Sequence, residues 1–189
     1  MPLIDSSPPR EYSAHRERQR RRILDAAENL FDEHGIDRVT MADIIAASGL
    51  RASTMYQYFP NKDEIVWAKV GEVFAEIAAR VEKAVGDAGG GALAKITALL
   101  EVMADDLTNR PAQVRFMAQF DAMYARNWSV ERLLALEDQT GVDRAVYLAG
   151  LIREGLADGS LRADLNPELT IQAVINAVIG EQRRLASLG

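Results

Sequence analysis

Residues 40–62 read TMADIIAASGLRASTMYQYFPNK, and how this stretch divides decides the fold. Thr40 is a helix N-cap whose hydroxyl can take a backbone N–H, and Asp43 three residues on completes a capping box. Met41, Ile44 and Ile45 then mark a buried face. Ser48-Gly49 stops the helix, because glycine adopts the left-handed backbone that a helix end needs and a side chain resists. Leu50 is expected to drop into the core as the plug of the turn. A second short helix is expected from Arg51 to about Phe59, with only Met55 and Phe59 clearly apolar. Its remaining residues, Arg51, Ala52, Ser53, Thr54, Tyr56, Gln57 and Tyr58, are small, polar or aromatic, a surface suited to contact and not to burial.

Two short helices joined through glycine match a helix-turn-helix, whose second helix enters the DNA major groove. A surface αα corner fits the same geometry. The residues that follow narrow the choice. The run Gly49-Leu50-Arg51-Ala52-Ser53-Thr54-Met55-Tyr56-Gln57-Tyr58-Phe59-Pro60-Asn61-Lys62-Asp63-Glu64-Ile65 resembles the signature of the TetR family of bacterial transcriptional regulators, in which Tyr-x-x-Phe leads through a short turn to a Lys opening the next helix. Ile23 to Phe31, Gly35, Val39-Thr40 and Ile44 also fall where that family keeps its first helix and the approach to the second. The resemblance covers about residues 16 to 70.

The resemblance implies an all-α chain with a three-helix head and a larger helical ligand-binding and dimerisation domain. Its expected divisions are an arm at 1–12, a DNA-binding head at 13–62, a connecting helix at 63–86, and the second domain at 87–189. It also implies that Thr40, Tyr56, Tyr58 and Lys62 touch the sugar-phosphate backbone of double-stranded DNA. Base reading is expected from among Arg51, Ala52, Ser53 and Gln57, with Thr54 on the same helix: Arg suits guanine N7 and O6, Gln suits adenine, and small side chains approach thymine methyls.

Charge patterning agrees with a local contact and not with a nucleic-acid coat. The chain carries a formal net charge of −6, yet residues 10–22 hold six arginines against two glutamates. Cations at the start of a helix oppose its dipole, so phosphate is the partner that would repay them; solvated arginines paired to Glu17 and Asp25 are the alternative.

After Asn61, an N-cap, a long helix carries Val66, Val70, Val73, Phe74, Ile77 and Val81 on one face and ends before the linker Gly86 to Gly91. Further helices are expected at about 92–107 and from Pro111 to about 126. A long segment follows from 130 to about 157, and a last helix opens at Asn166-Pro167-Glu168. Met103, Phe116, Met117, Phe120, Met123, Tyr124, Trp128 and Tyr147 form a soft aromatic set able to line a pocket for a small, mostly apolar effector, with Gln113, Gln119, Asn127 or Asn176 as polar anchors. One recognition helix touches too few base pairs to select an operator, so a homodimer on a palindrome is expected. Its interface is expected to use Ala145, Leu148, Ala149 and Ile152 with Ile171, Val174, Ile175 and Val178.

An enzyme is not expected. Neither His15 nor His34 has a Glu three residues before it, as an iron-binding bundle would need, and there is no Gly-x-Ser-x-Gly or Walker motif. No cofactor or metal is implied. The chain has no cysteine, no apolar leader and no run of apolar residues long enough to span a membrane, which places the expectation in the cytoplasm. The composition leaves open a protein partner for the second half in place of a small molecule.

Overall fold

The computed structural model describes residues 10–124, 131, 132, 135 and 144–186, and among them every regular element is an α-helix. The chain divides into two compact units, Met1–Lys69 and Val70–Gly189.

The first unit holds α1 (Arg10–His34), α2 (Met41–Ser48), α3 (Ala52–Tyr58) and the start of α4 (Lys62–Asp87). Helix α1 begins at Arg10, inside the expected arm, directly after Pro8-Pro9, where a helix can start but not extend backwards. Residues 1–9 lie outside the described residues. Ile23, Leu24, Ala27 and Phe31 of α1 are buried together with Ile36, Val39, Ile44, Met55, Phe59, Ile65, Val66 and Trp67. Lys69 of α4 is 6 % exposed and its ammonium lies 2.9 Å from Glu28 Oε2 of α1, so this deep cation has a carboxylate partner. The turn departs from expectation in one respect. Leu50 is only half-buried, and Ser48 is the buried residue at 1 %, its hydroxyl donating to Ile45 O and accepting from Leu50 N. A hydroxyl that serves both ends of the turn can be buried without loss.

The second unit contains the rest of α4, then α5 (Ala92–Asn109), α6 (Pro111–Tyr124), α7 (Arg144–Asp158) and α8 (Pro167–Ala186). Helix α8 packs on α6, and α7 packs on α5 and α8. Val81 and Val85 of α4, Leu99 of α5 and Leu151 of α7 form one core cluster, flanked by Ile77, Ile96, Val102, Met103 and Tyr147. Helix α5 is capped from a distance. Its N-cap is Gly91, which has no side chain to offer, and Asp158 at the end of α7 accepts the Ala92 N–H at 3.3 Å. The same carboxylate accepts the Ser160 N–H at 2.8 Å; the Ser160 hydroxyl first, then this N–H and that of Ala92, hold its pKa below the ordinary value. A Cβ on Gly91 would stand 2.9 Å from Asp158 Oδ2, so glycine is what lets the two ends meet. Asn61 and Asn166 cap α4 and α8 as expected, accepting from the N–H groups of Glu64 and Leu169.

Ile44 is 0 % exposed at the centre of the first unit. Ile44→Ala should lower unfolding stability by about 2–5 kcal/mol, measured by urea denaturation of the full chain, as removing buried methylenes leaves a cavity.

Candidate nucleic-acid interface

The capping box at the start of α2 forms in full. Thr40 N and Oγ1 both donate to Asp43 Oδ2, at 2.8 and 2.6 Å, and Asp43 N donates back to Thr40 Oγ1 at 3.3 Å. The Thr40 hydroxyl, first among these bonds, holds the Asp43 carboxyl below its ordinary pKa, so the cap is intact wherever Asp43 is ionised and is lost only on strong acidification. At the other end of α2, Gly49 sits at φ 62° and donates to Ala46 O. The Arg22 guanidinium of α1 rests on it: a Cβ there would come 2.7 Å from Arg22 Nη2. Any side chain at Gly49 would therefore meet both backbone strain and a displaced arginine.

Helix α3 is anchored from below by Met55, 0 % exposed, and by Phe59 at its C-cap. The other side is open. Arg51, Ala52, Ser53 and Gln57 are exposed, Tyr56 is 52 % exposed, and Thr54 and Tyr58 are half-buried. The arginines of α1 support this helix instead of only facing solvent. Arg16 lies over the Tyr58 ring at 5.8 Å and Arg20 over the Phe59 ring at the same distance. Arg21 pairs with Asp25 at 2.8 Å, one of the two pairings weighed from sequence. Between α1 and α3 runs a cleft of about 660 Å³ whose lining among the described residues includes His15, Arg16, Arg51, Gln57 and Tyr58 and no acid. A basic cleft beside an exposed polar helix, in a chain of net charge −6, concentrates positive potential locally and can attract a polyanion backbone.

Lys62 has commitments that its sequence position did not disclose. Its ammonium donates to Ile36 O at 2.7 Å and Val39 O at 2.8 Å, the carbonyls of the turn before Thr40. The first residue of α4 thereby ties down the loop that delivers α2.

In the second unit the residues expected to bind an effector separate by environment. Met103 and Tyr147 border the core cluster, Phe116, Met117 and Tyr124 are half-buried, Met123 is 40 % exposed, and Phe120 is fully buried with its ring 4.9 Å from that of Tyr124. Trp128 and Asn127 lie outside the described residues. Of the expected interface residues, Leu148 and Ile152 are already buried within one chain at 4 % and 2 %, while Ala149, Ile171, Val174, Ile175 and Val178 remain half-buried. Ala145 is helical.

A family model described as bacterial regulatory proteins, tetR family, matches residues 23–68. The HTH-type transcriptional repressor KstR2 of Mycolicibacterium smegmatis is 24 % identical over 166 residues, covering 82 % of this chain and 74 % of that protein. Among solved structures, the ketosteroid transcriptional regulator KstR2 of Mycobacterium tuberculosis superposes with a TM-score of 0.67 at 22 % identity, over 87 % of this chain and 82 % of that one. The fatty acid degradation regulator FadR from Bacillus halodurans gives 0.67 at 18 % identity, over 90 % of each chain. No helix of the described residues is long and apolar enough to cross a membrane. Residues 23–68 match the tetR family of bacterial regulatory proteins, and the chain is a DNA-binding transcriptional regulator and not an enzyme.

Proposed function

We propose that the chain is a repressor that binds a palindromic operator as a homodimer and is released from it by a small, mostly apolar effector. The observation that carries the DNA half of this reading is the asymmetry of α3: Met55 and Phe59 hold it down while Tyr56 and Gln57 stand in solvent. In this reading Gln57, Arg51, Ala52 and Ser53 meet base edges, Tyr56, Tyr58 and Thr54 meet the strand backbone, and the arginines of α1 extend the phosphate contact along the basic cleft. Both polar hydrogens of Thr40 serve Asp43, so the phosphate near α2 is taken by the N–H groups of Met41 and Ala42, which stand in the first turn of α2 where a helix offers no acceptor of its own.

Lys62 acts on DNA binding through its strap and not through phosphate. Two of its three N–H bonds are spent on carbonyls. Lys62→Met should weaken binding to all duplexes while leaving the slope of log affinity against log salt unchanged; a phosphate contact would reduce that slope by about 0.9. Lys62→Arg, which keeps the charge but cannot seat a compact ammonium between two carbonyls, should weaken binding as much as Met does. An Arg variant that binds normally refutes the strap.

The dimer half rests on α8. Ile171, Val174, Ile175 and Val178 keep apolar surface in a single chain, and Leu169 at its start is 69 % exposed. Effector release uses α4, one continuous helix shared by both units. A ligand that favours one position of α4 by its difference in affinity, typically about 1–3 kcal/mol, moves the paired heads off successive major grooves. The Met-rich and aromatic set of α5, α6 and α7 supplies an adaptable apolar lining, and relatives named for ketosteroid and fatty acid regulation are in keeping with an apolar effector.

Genomic footprinting of the purified protein tests the whole reading: protected sites should be inverted repeats, and the genes beside them should name the effector class. Gln57→Ala should relax preference at a single operator position at a cost of about 1–3 kcal/mol, measured by competition with single-base variants. Val174→Glu should yield monomers in sedimentation and abolish footprinting, and a dimer that survives the change removes α8 from the interface.

A further inference from the structure

A group of charges on α4 and at the end of α5 is used by neither the DNA surface nor the core packing. Arg80 of α4 is ion-paired through Nη1 to Asp106 of α5, with Asp105 Oδ2 at 4.0 Å. Arg110, just before α6, reaches the same Asp106 at 3.5 Å and pairs with Glu76, one turn before Arg80. These groups tie α4 to the end of α5, and most have their partners, although Asp106 Oδ1 makes no hydrogen bond among the described residues despite standing against Arg80 Nη1.

Arg80 does not have all of its own. Its Nε and Nη2 are both buried with no acceptor among the described residues. These two atoms form one edge of the guanidinium plane, where two N–H bonds point the same way as a fork. Burying such donors unpaired is costly, and the cost is relieved when an oxygen arrives. Gln113 Nε2, three residues beyond Arg110, is a second buried donor without an acceptor among the described residues.

The surroundings specify what would arrive. Ile77 lies one turn before Arg80, Val102 and Met103 lie one turn before Asp106, and these three pack with Tyr147 as the half-buried margin of the core cluster. A polar fork at the margin of a soft apolar cluster is the arrangement of a ligand site with one orienting group. Charge then chooses between the oxygens that could fill it. Glu76, Asp105 and Asp106 already outnumber Arg80 and Arg110, so a carboxylate would add a second excess negative charge, whereas a neutral carbonyl accepts both N–H bonds at no such cost.

We propose that Arg80 is the polar anchor of the effector site, and that the effector presents to its Nε and Nη2 the carbonyl oxygen of an uncharged, otherwise apolar molecule. The inference rests on the effector-released repressor reading above and assigns the chemistry of its ligand.

The test uses the full chain with three probes of matched length: decan-2-one, dec-1-ene and decanoate. Binding is followed by calorimetry and by the Nε–H resonance of Arg80, assigned by its absence in Arg80→Lys, which keeps the ion pair with Asp106 but lacks the fork. Decan-2-one should bind about tenfold more tightly than dec-1-ene, the worth of one buried hydrogen bond, and should shift the Arg80 resonance where dec-1-ene does not. Arg80→Lys should lose this preference while still binding dec-1-ene. Equal affinity for ketone and alkene, tighter binding of decanoate, or a preference retained in Arg80→Lys overturns the anchor and leaves an apolar effector in place. Absence of binding by all three overturns the anchor and counts against the effector reading itself.

Discussion

The hold of Lys62 on the carbonyls of Ile36 and Val39 is the constraint on which the DNA-binding unit depends. The loop between α1 and α2 carries backbone oxygens that no helix satisfies, and an ammonium offers donors in a volume that a guanidinium does not match. With those oxygens bonded, Val39 stays buried and Thr40 begins α2 with its box to Asp43 complete. Helix α2 then fixes Gly49, and Gly49 fixes the direction of α3. A chain of local bonds thus runs from the first residue of α4 to the exposed face of α3.

That chain gives α4 a mechanical meaning. Because the helix continues unbroken from Lys62 to Asp87, its first turn takes part in the loop of the first unit and its last turns in the core of the second. Lys69, deeply buried with Glu28 of α1 as a partner, adds a second tie in the first unit two turns further along. A shift of α4 must either carry α1 and the α1–α2 loop with it or strip the buried Lys69 of its half-exposed partner Glu28 and break two hydrogen bonds. Breaking them is the dearer course, since it leaves polar groups without partners.

Features settled within four residues were legible in the sequence. The box of Thr40 and Asp43, the left-handed Gly49, the Asn61 and Asn166 caps and the Pro111 and Pro167 helix starts all follow from backbone groups that a near neighbour must satisfy. What was not legible depends on residues far apart. Lys62 lies 23 and 26 residues from its carbonyls, Lys69 is 41 from Glu28, and Asp158 is 66 from the helix it caps. Nothing in the pattern of hydrophobic residues distinguishes these lysines from solvated ones. The plug of the turn was misassigned for a related reason: hydropathy favours Leu50 over Ser48, but Ser48 alone can bond both sides of the turn. The apolar face of α7 was legible as a face but not by its destination, since Leu148 and Ile152 are consumed by the chain's own core.

Helix α1 shows how a chain of net negative charge presents a positive surface. Residues 10–22 carry six arginines against two glutamates, and residues 23–34 carry four acids and no lysine or arginine. Both halves oppose the helix dipole, which favours acids at the start and cations at the end, and the exposed Arg21–Asp25 pair within α1 offsets little of that. The arrangement's return comes from the neighbours. In the acidic half, Glu28 neutralises the buried Lys69; in the basic half, Arg16 and Arg20 lie over Tyr58 and Phe59, and Arg22 covers Gly49. The guanidinium groups are thereby held beside α3, and the cleft that Arg16 helps to line has no acid among its described residues. Through water and salt, field strength at a phosphate depends on charges within about 8–10 Å, so this segregation governs DNA attraction more than the total of −6 does.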